Sequence, residues 1–304
     1  MLEIAIMIEG QNGLNWARWQ TIARRVEELG FAGLFRSDHF TNANPPDLDS
    51  LELWTSLTWL ACNTKRIEFG PLVTPFSFRH PVHTARMASA VDDLSGGRLI
   101  LGLGAGWQER EHTLFGFDLL DKKSRFDRFE EGLEVVTQLL QSDDPVTFNG
   151  KYYQLRGATL LPRPHRPGGP RILVGGNGIK RTLSYVVRYA SEWNCIMLPP
   201  QEFAKLNARL NAQLKAAKRD PATVRRSMMT GCVFGKDDAA LREKIAARKR
   251  TFEELRQRGI IVGSASQVKE QLHALEEAGL QRIMLQWLDL YDLEGLEALA
   301  KAVL

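Results

Sequence analysis

The chain has few cysteines: among its 304 residues only Cys62, Cys195 and Cys232 occur, far apart. An odd, scattered set excludes a disulfide framework and a cysteine-based zinc site, and leaves a reducing cytoplasm as the expected compartment. No uncharged apolar run approaches the roughly 18 residues of a membrane-spanning helix, so no membrane partner is expected. The opening MLEIAIMIEG carries an acid at Glu3 and no basic leader segment. It is expected to be a first strand rather than a signal peptide. No GxGxxG follows that strand and no GxxxxGK[ST] occurs. These absences exclude a Walker A loop and argue against an open dinucleotide-binding sheet.

Charge of one sign is also scarce, since the formal net charge is only +4. It is unevenly spread: residues 205–258 hold 15 Lys or Arg against 6 Asp or Glu. Such a segment reads first as solvated helix faces and second as a rim attracting an anionic ligand. Without interleaved aromatics it does not indicate nucleic acid. What is present, 44% hydrophobic and 25% charged residues, is the balance of an ordinary globular protein.

Strand-like and helix-like segments alternate along the chain. Apolar patterning predicts strands at 2–8, 31–36, 66–73, 98–104, 171–174, 192–197, 225–234 and 281–287. Helices are predicted at 15–29, 50–63, 81–95, 124–141, 178–190, 201–218, near 237–257, 265–278 and 293–303. Trp16, Trp19, Ile22, Ala23 and Val26 show the helical period in the first of these, and Gly30 ends it. Eight strands with intervening helices imply an α/β fold, a (β/α)8 TIM barrel spanning 1–304 as one domain. Inserted segments are expected at about 107–123, 145–170 and 235–263, the second carrying a hairpin at NGKYYQL.

Chemistry in such a barrel gathers at the C-terminal strand ends. Glu9 follows the first strand, Ser37, Asp38 and His39 the second, and VTPFSFRH the third. GAGWQEREH follows the fourth, GGNG the fifth, and Gln286 closes the last. In GLFRSDHF, Asp38 and His39 are either a polar strand cap or a catalytic pair at the mouth. In RLILGLGAGW, Gly102, Gly104 and Gly106 share one face and Leu99, Leu101 and Leu103 the other. Glycine runs in strands mark a close backbone approach, so these suggest a bare wall for a planar ring, or else a bulge. RILVGGNGIKRT leads a strand through glycines into a helix beginning near Ile179, a geometry that exposes amides to phosphate. His80 and His83 have near-ligand spacing, but Pro81 points to a helix start with a capping role, and no metal is expected. His112 is placed beside the mouth; His165 and His273 read as structural.

The stretches SDHF, TPFSFRHPVHTARMASAVDDLSGGRLILGLGAGWQEREHTLFGF, RFDRFEEGLEVVTQLL and RILVGGNGIKRTLSYVVRYASEWN resemble the luciferase-like flavin oxidoreductase family, nearest its coenzyme F420-dependent branch. The resemblance implies a barrel, usually homodimeric, that holds the deazaflavin F420, or alternatively FMN, at the C-terminal mouth. It places Asp38 and His39 at the family's active-site acid and histidine. It places Gly104 and Gly106 beside the ring, and Gly175, Gly176, Asn177 and Gly178 at the phosphate turn. It implies cofactor contacts from Leu72, Val73 and Thr74, with a non-prolyl cis peptide near Leu72–Val73. Trp107 and Gln108 stand where sugar-phosphate members of the branch carry an acid. Their proton relay is therefore not assumed here.

The expected activity is hydride transfer between F420 and a small organic substrate. His39 would handle the proton and Asp38 would orient the imidazole or meet a ring edge. Glu9, Trp107, His112 and Gln286 are candidates for the substrate pocket, and a flavin or F420 reductase is a candidate partner. The alternatives are a two-component FMN monooxygenase, a flavin-binding protein without turnover, and a lyase using Lys180 as a Schiff base.

Overall fold

The computed structural model describes residues 1–304. The chain opens with β1 (Glu3–Ile8), α1 (Trp16–Leu29), β2 (Gly33–Arg36) and α2 (Leu53–Asn63). Asn15 caps α1 by accepting from the Arg18 amide, and Gly30 closes it with φ of 95°. β3 (Glu68–Pro71) is followed, after two residues, by β4 (Thr74–Pro75), α3 (Pro81–Leu94) and β5 (Ile100–Gly104). His80 caps α3 through Nδ1, and Pro81 takes the first helical position.

Next come α4 (Glu109–Phe115), α5 (Lys122–Gln141), and the antiparallel hairpin β6 (Val146–Asn149) and β7 (Gln154–Ala158). The second half contains β8 (Arg171–Gly175), α6 (Thr182–Tyr189), β9 (Glu192–Ile196), α7 (Pro200–Ala216) and β10 (Arg225–Phe234). The chain ends with α8 (Asp238–Ala247), α9 (Phe252–Gln257), β11 (Ile261–Gly263), α10 (Ala265–Glu277), β12 (Arg282–Gln286) and α11 (Leu293–Val303).

Parallel strands run in the order β3-β2-β1-β12-β10-β9-β8-β5-β4. The circuit closes where Phe69 bridges Leu99 and where Thr74 pairs with Leu103. This is the expected α/β barrel, with the third strand split into β3 and β4. Strand alternation divides the apolar residues in two. Ala5, Met7, Phe35, Ile100, Leu173 and Met284 fill the barrel interior, while Leu99, Leu101 and Leu103 join the larger core beneath the helices. At the N-terminal strand ends, buried Arg282 is ringed by Glu3, Glu68 and Glu192, leaving the opposite mouth for the site. No helix is long and apolar enough to cross a membrane.

Three sequence expectations differ from the structure. The charged helix expected near 237–257 is two helices, because Thr251 and Glu254 form a capping box that starts α9. β11, which pairs in parallel with β10, had no separate strand predicted for it. The helix expected from 178 begins only at Thr182, since Gly178 to Arg181 form an open turn closed by the Leu183 amide on the Gly178 carbonyl.

Candidate functional site

The C-terminal strand ends surround a cleft of about 670 Å³, a size and position suited to a cofactor or small molecule. His39 follows β2 and lines this cleft. Its Nδ1 lies 2.9 Å from Glu111 Oε1, and the second oxygen of Glu111 accepts from the Phe40 amide at 3.0 Å. A carboxylate only accepts, so the imidazole proton sits on Nδ1, and Nε2, which has no protein partner, is the nitrogen left for a ligand. Burial pushes the His39 pKa down. The hydrogen bond and charge of Glu111, with weaker pulls from Glu9 and Asp38, outweigh burial, so the pKa stands above its ordinary value.

Asp38 does not touch the imidazole. Consecutive residues of an extended chain point to opposite sides, and Asp38 turns to Arg79 and Thr74. Its Oδ2 accepts from Arg79 Nε at 2.6 Å and from Thr74 Oγ1 at 2.7 Å, and its Oδ1 accepts from Arg79 Nη2 at 2.9 Å. The orienting carboxylate expected at Asp38 is therefore supplied by Glu111, and Asp38 instead fastens the end of β2 to β4 and the segment after it. Ser50 Oγ donates to the His39 carbonyl at 2.5 Å, which adds a hold from the loop before α2.

Glu9 lines the cleft with both oxygens occupied: Oε1 accepts from Gln286 Nε2 at 2.6 Å and Oε2 from Gln11 Nε2 at 2.9 Å. Gln11 in turn accepts from Ser37 Oγ at 2.7 Å. Gln286 therefore braces Glu9 and is not itself among the cleft residues.

Leu72 and Val73, the two residues between β3 and β4, line the cleft and are joined by a cis peptide. Thr74 is fully buried against Asp38 and stands behind them. The wall expected at the glycines is occupied by this segment. A Cβ on Gly102 would fall 2.1 Å from the Pro71 carbonyl, and one on Gly104 2.4 Å from Val73 Cγ2. The close approach that these glycines signalled is thus made by the protein's own third strand, and Val73 presents the surface toward the cleft. Gly104 and Gly106 remain at its edge.

Beside it, on the strand that pairs with β5, lies the turn after β8. Gly175, Gly176, Asn177 and Gly178 line the cleft, and Gly176 has φ of 122°, a conformation that side chains rarely adopt. Asn177 spends its side chain on the neighbouring strand end: Nδ2 donates to the Ile196 carbonyl at 2.8 Å and Oδ1 accepts from the Ile196 amide at 2.9 Å. The amides from Asn177 to Thr182 have no acceptor in the protein. Amides without an acceptor at a glycine turn before a helix are free to meet an anion. Lys122 also lines the cleft, and its neighbour Lys123 gives its carbonyl to Arg181.

Trp107 lines the cleft, is 62% exposed, and meets the His39 ring edge-on at 5.7 Å. His112 lies elsewhere: it is buried behind Trp107 against Phe78 and Phe117, with Nδ1 donating to the Gln108 carbonyl at 2.6 Å. Lys180 is exposed and outside the cleft. Sequence reasoning missed Glu111 and Arg79 as partners, and Phe126, Phe129 and Met229 as cleft walls. Glu111 stands in WQEREH, one of the strand-end stretches singled out, but nothing in spacing shows that α4 turns it back onto His39.

The family described as luciferase-like monooxygenase matches residues 3–254. An F420-dependent glucose-6-phosphate dehydrogenase of Kineococcus radiotolerans is 32% identical over 160 residues, covering 52% of this chain and 47% of that protein. An F420-dependent hydroxymycolic acid dehydrogenase of Mycobacterium tuberculosis is 30% identical over 224 residues, covering 72% of this chain and 60% of that protein. The chain thus spans about half the length of the curated relatives it matches. Among solved structures, an F420-dependent secondary alcohol dehydrogenase in complex with an F420-acetone adduct superposes with a TM-score of 0.85 at 18% identity, covering 100% of this chain and 99% of that one.

Proposed function

The chain belongs to the luciferase-like monooxygenase family, and from that premise we propose that it is an F420-dependent oxidoreductase acting on the alcohol or carbonyl group of a small organic molecule. The observation that carries this reading is the pairing of His39, whose free Nε2 lines the cleft, with the unpartnered amides of Asn177 to Thr182 at the turn that lines it. A proton-handling group and an anion cradle in one cleft suit a planar redox cofactor bearing a phosphate. When bound, F420 supplies a deazaflavin carbon that accepts or returns a hydride.

The cofactor's phosphate would rest on the amides of Asn177 to Thr182, with Lys122 adding charge. Val73, seated against Gly104, would back its ring, with Gly104, Gly106 and Gly175 at the edge of the same cleft. In the oxidising direction, His39 Nε2 takes the hydroxyl proton as the C–H electron pair leaves and C=O forms; in reduction it returns that proton. Glu111 is the positioning residue that fixes the tautomer and stabilises the imidazolium. Asp38, held by Arg79 and Thr74, keeps the loop of His39 in register. Glu9 and Trp107 are the substrate-side walls, and Gln286 acts through Glu9.

The three free cysteines suit a cytoplasmic enzyme. A homodimer served by a separate F420 reductase is the assembly that the family resemblance implies, and sedimentation checks it. The deciding experiment is side-by-side titration with F420 and FMN, followed by His39→Ala. Binding of F420 that survives the substitution while turnover is lost supports the proposal. Binding of FMN alone overturns it in favour of a two-component monooxygenase.

A further inference from the structure

Three carboxylates line the cleft, and their partners differ. Asp38 is paired with the Arg79 guanidinium, and Glu111 with the His39 imidazole. Glu9 has no cationic partner: its oxygens accept from the side-chain amides of Gln286 and Gln11. Gln286 ends β12, and Gln11, itself 8% exposed, is anchored by Ser37 Oγ. Neutral donors fix the direction of a carboxylate and leave its charge in place.

No arginine lines the cleft to offset that charge. Lys122, the one lysine that does, adjoins Lys123, whose carbonyl meets Arg181 beyond the glycine turn, on the side read above as the phosphate's. Arg36 feels the charge of Glu9 but lies outside the cleft, and its donors go to Ser56 Oγ and the Leu51 carbonyl. It also faces Asp38 and Glu52, the acids that Arg79 bonds. Near His39, Glu9, Asp38, Glu52 and Glu111 thus face only two guanidiniums, those of Arg36 and Arg79. Even protonated His39 leaves one acid in excess.

Like charges repel more strongly in a cleft than in bulk water. A carboxylate or phosphate beside the reacting carbon would approach Glu9 with no cation to meet it. A neutral group or an ammonium would not be repelled.

We propose that Glu9 is a specificity-determining residue that turns away substrates with a negative group near the reacting carbon. The inference rests on the hydride-transfer reading above and adds the substrate class: a neutral or amine-bearing alcohol or carbonyl compound, not a hydroxy acid or phosphate ester.

The test compares 3-hydroxybutanoate, 3-hydroxybutanamide and 4-amino-2-butanol, which share a reacting secondary alcohol and carry a negative, neutral or positive group near it. Each is assayed with F420 on wild type and Glu9→Gln. In wild type, kcat/KM for the amide is expected to exceed that for the carboxylate by at least about tenfold. One unit charge acting over roughly 10 Å at an effective dielectric constant of about 20 gives a preference of that size. Glu9→Gln should bring the ratio close to one, and should lower kcat/KM for the amine relative to the amide. A wild-type preference for the carboxylate, or a ratio unmoved by the substitution, overturns the assignment. NMR titration of His39 reads the same charge apart from turnover: Glu9 helps to hold that pKa up, so Glu9→Gln should lower it. An unmoved midpoint would show that the charge of Glu9 does not reach the reacting end. If none of the three alcohols is oxidised, the hydride-transfer reading fails. Saturation-transfer NMR then still decides on Glu9: carboxylate binding that appears only in Glu9→Gln supports its role, and equal binding to both proteins removes it.

Discussion

Glu111 Oε1 accepts from His39 Nδ1 at 2.9 Å, across 72 residues of sequence. The pair joins the end of β2 to the short helix after β5, with the Glu111 side chain almost fully buried. A buried carboxylate on one imidazole nitrogen leaves the other as a directed proton site, and this relationship governs the first prediction.

Glu111→Gln removes the charge and the strongest acceptor on Nδ1. Burial then dominates, and the His39 pKa falls from its raised position. Oxidation of an alcohol needs neutral His39, so its rate rises with pH through the His39 pKa; in Glu111→Gln that rise moves to lower pH. The pair's contribution to stability is full below the unfolded-state pKa of about 6.5 and is lost as pH rises through the raised folded value. NMR titration of the His39 ring and the pH–rate profile check both, and an unmoved midpoint would show that Glu111 does not tune the imidazole.

Asp38→Asn tests the opposite assignment. Its carboxylate is bonded to Arg79 and Thr74 rather than to His39. The substitution leaves Arg79 with Glu52 as its remaining acid and should cost about 3 kcal/mol of stability, as for breaking a buried ion pair. Activity should drop while the pH midpoint moves far less than in Glu111→Gln. Thermal unfolding and the pH–rate profile, measured together, decide it; a midpoint shift equal to that of Glu111→Gln would return Asp38 to direct action on the histidine.

Gly104→Ala places a methyl 2.4 Å from Val73 Cγ2. Overpacking of this kind costs about 1–3 kcal/mol, and here it pushes Val73 into the cleft, so cofactor affinity should fall along with stability. Val73→Ala in the same chain removes the colliding methyl and should restore much of both. Additive losses in the double variant would contradict the contact.

Asn177→Ala leaves the six amides of the turn in place but releases their clamp to Ile196. Loss of two hydrogen bonds of about 1 kcal/mol each should weaken F420 binding by about thirtyfold at most, with the His39 pKa unchanged. Calorimetric titration measures the first and NMR the second. Unaltered affinity would mean that the turn does not hold the cofactor's anion.

The barrel was legible because strand and helix periods differ and each βα unit repeats them. Eight alternations between Glu3 and Gln286 leave little else to build. The mouth was legible for a related reason: polar residues and glycines at strand ends have no place in a packed core. The glycines of RLILGLGAGW correctly announced a close approach, and His39 announced itself by following an apolar strand. Helix boundaries were less legible where a local cap decided them, as at Thr251, or where an open turn delayed the start, as before Thr182.

Only the tertiary structure decided which groups meet. Periodicity says which face a side chain takes, but not which distant segment covers that face. So it could not tell that Val73 lies over Gly104, that Asp38 belongs to Arg79, or that α4 carries Glu111 to His39 and turns His112 away against Phe78 and Phe117. The sequence by itself determined the barrel and the end of it where chemistry gathers, because local patterning sets both. The partners of each charged group came from packing between segments far apart in the chain, and those partners set the proton position on His39.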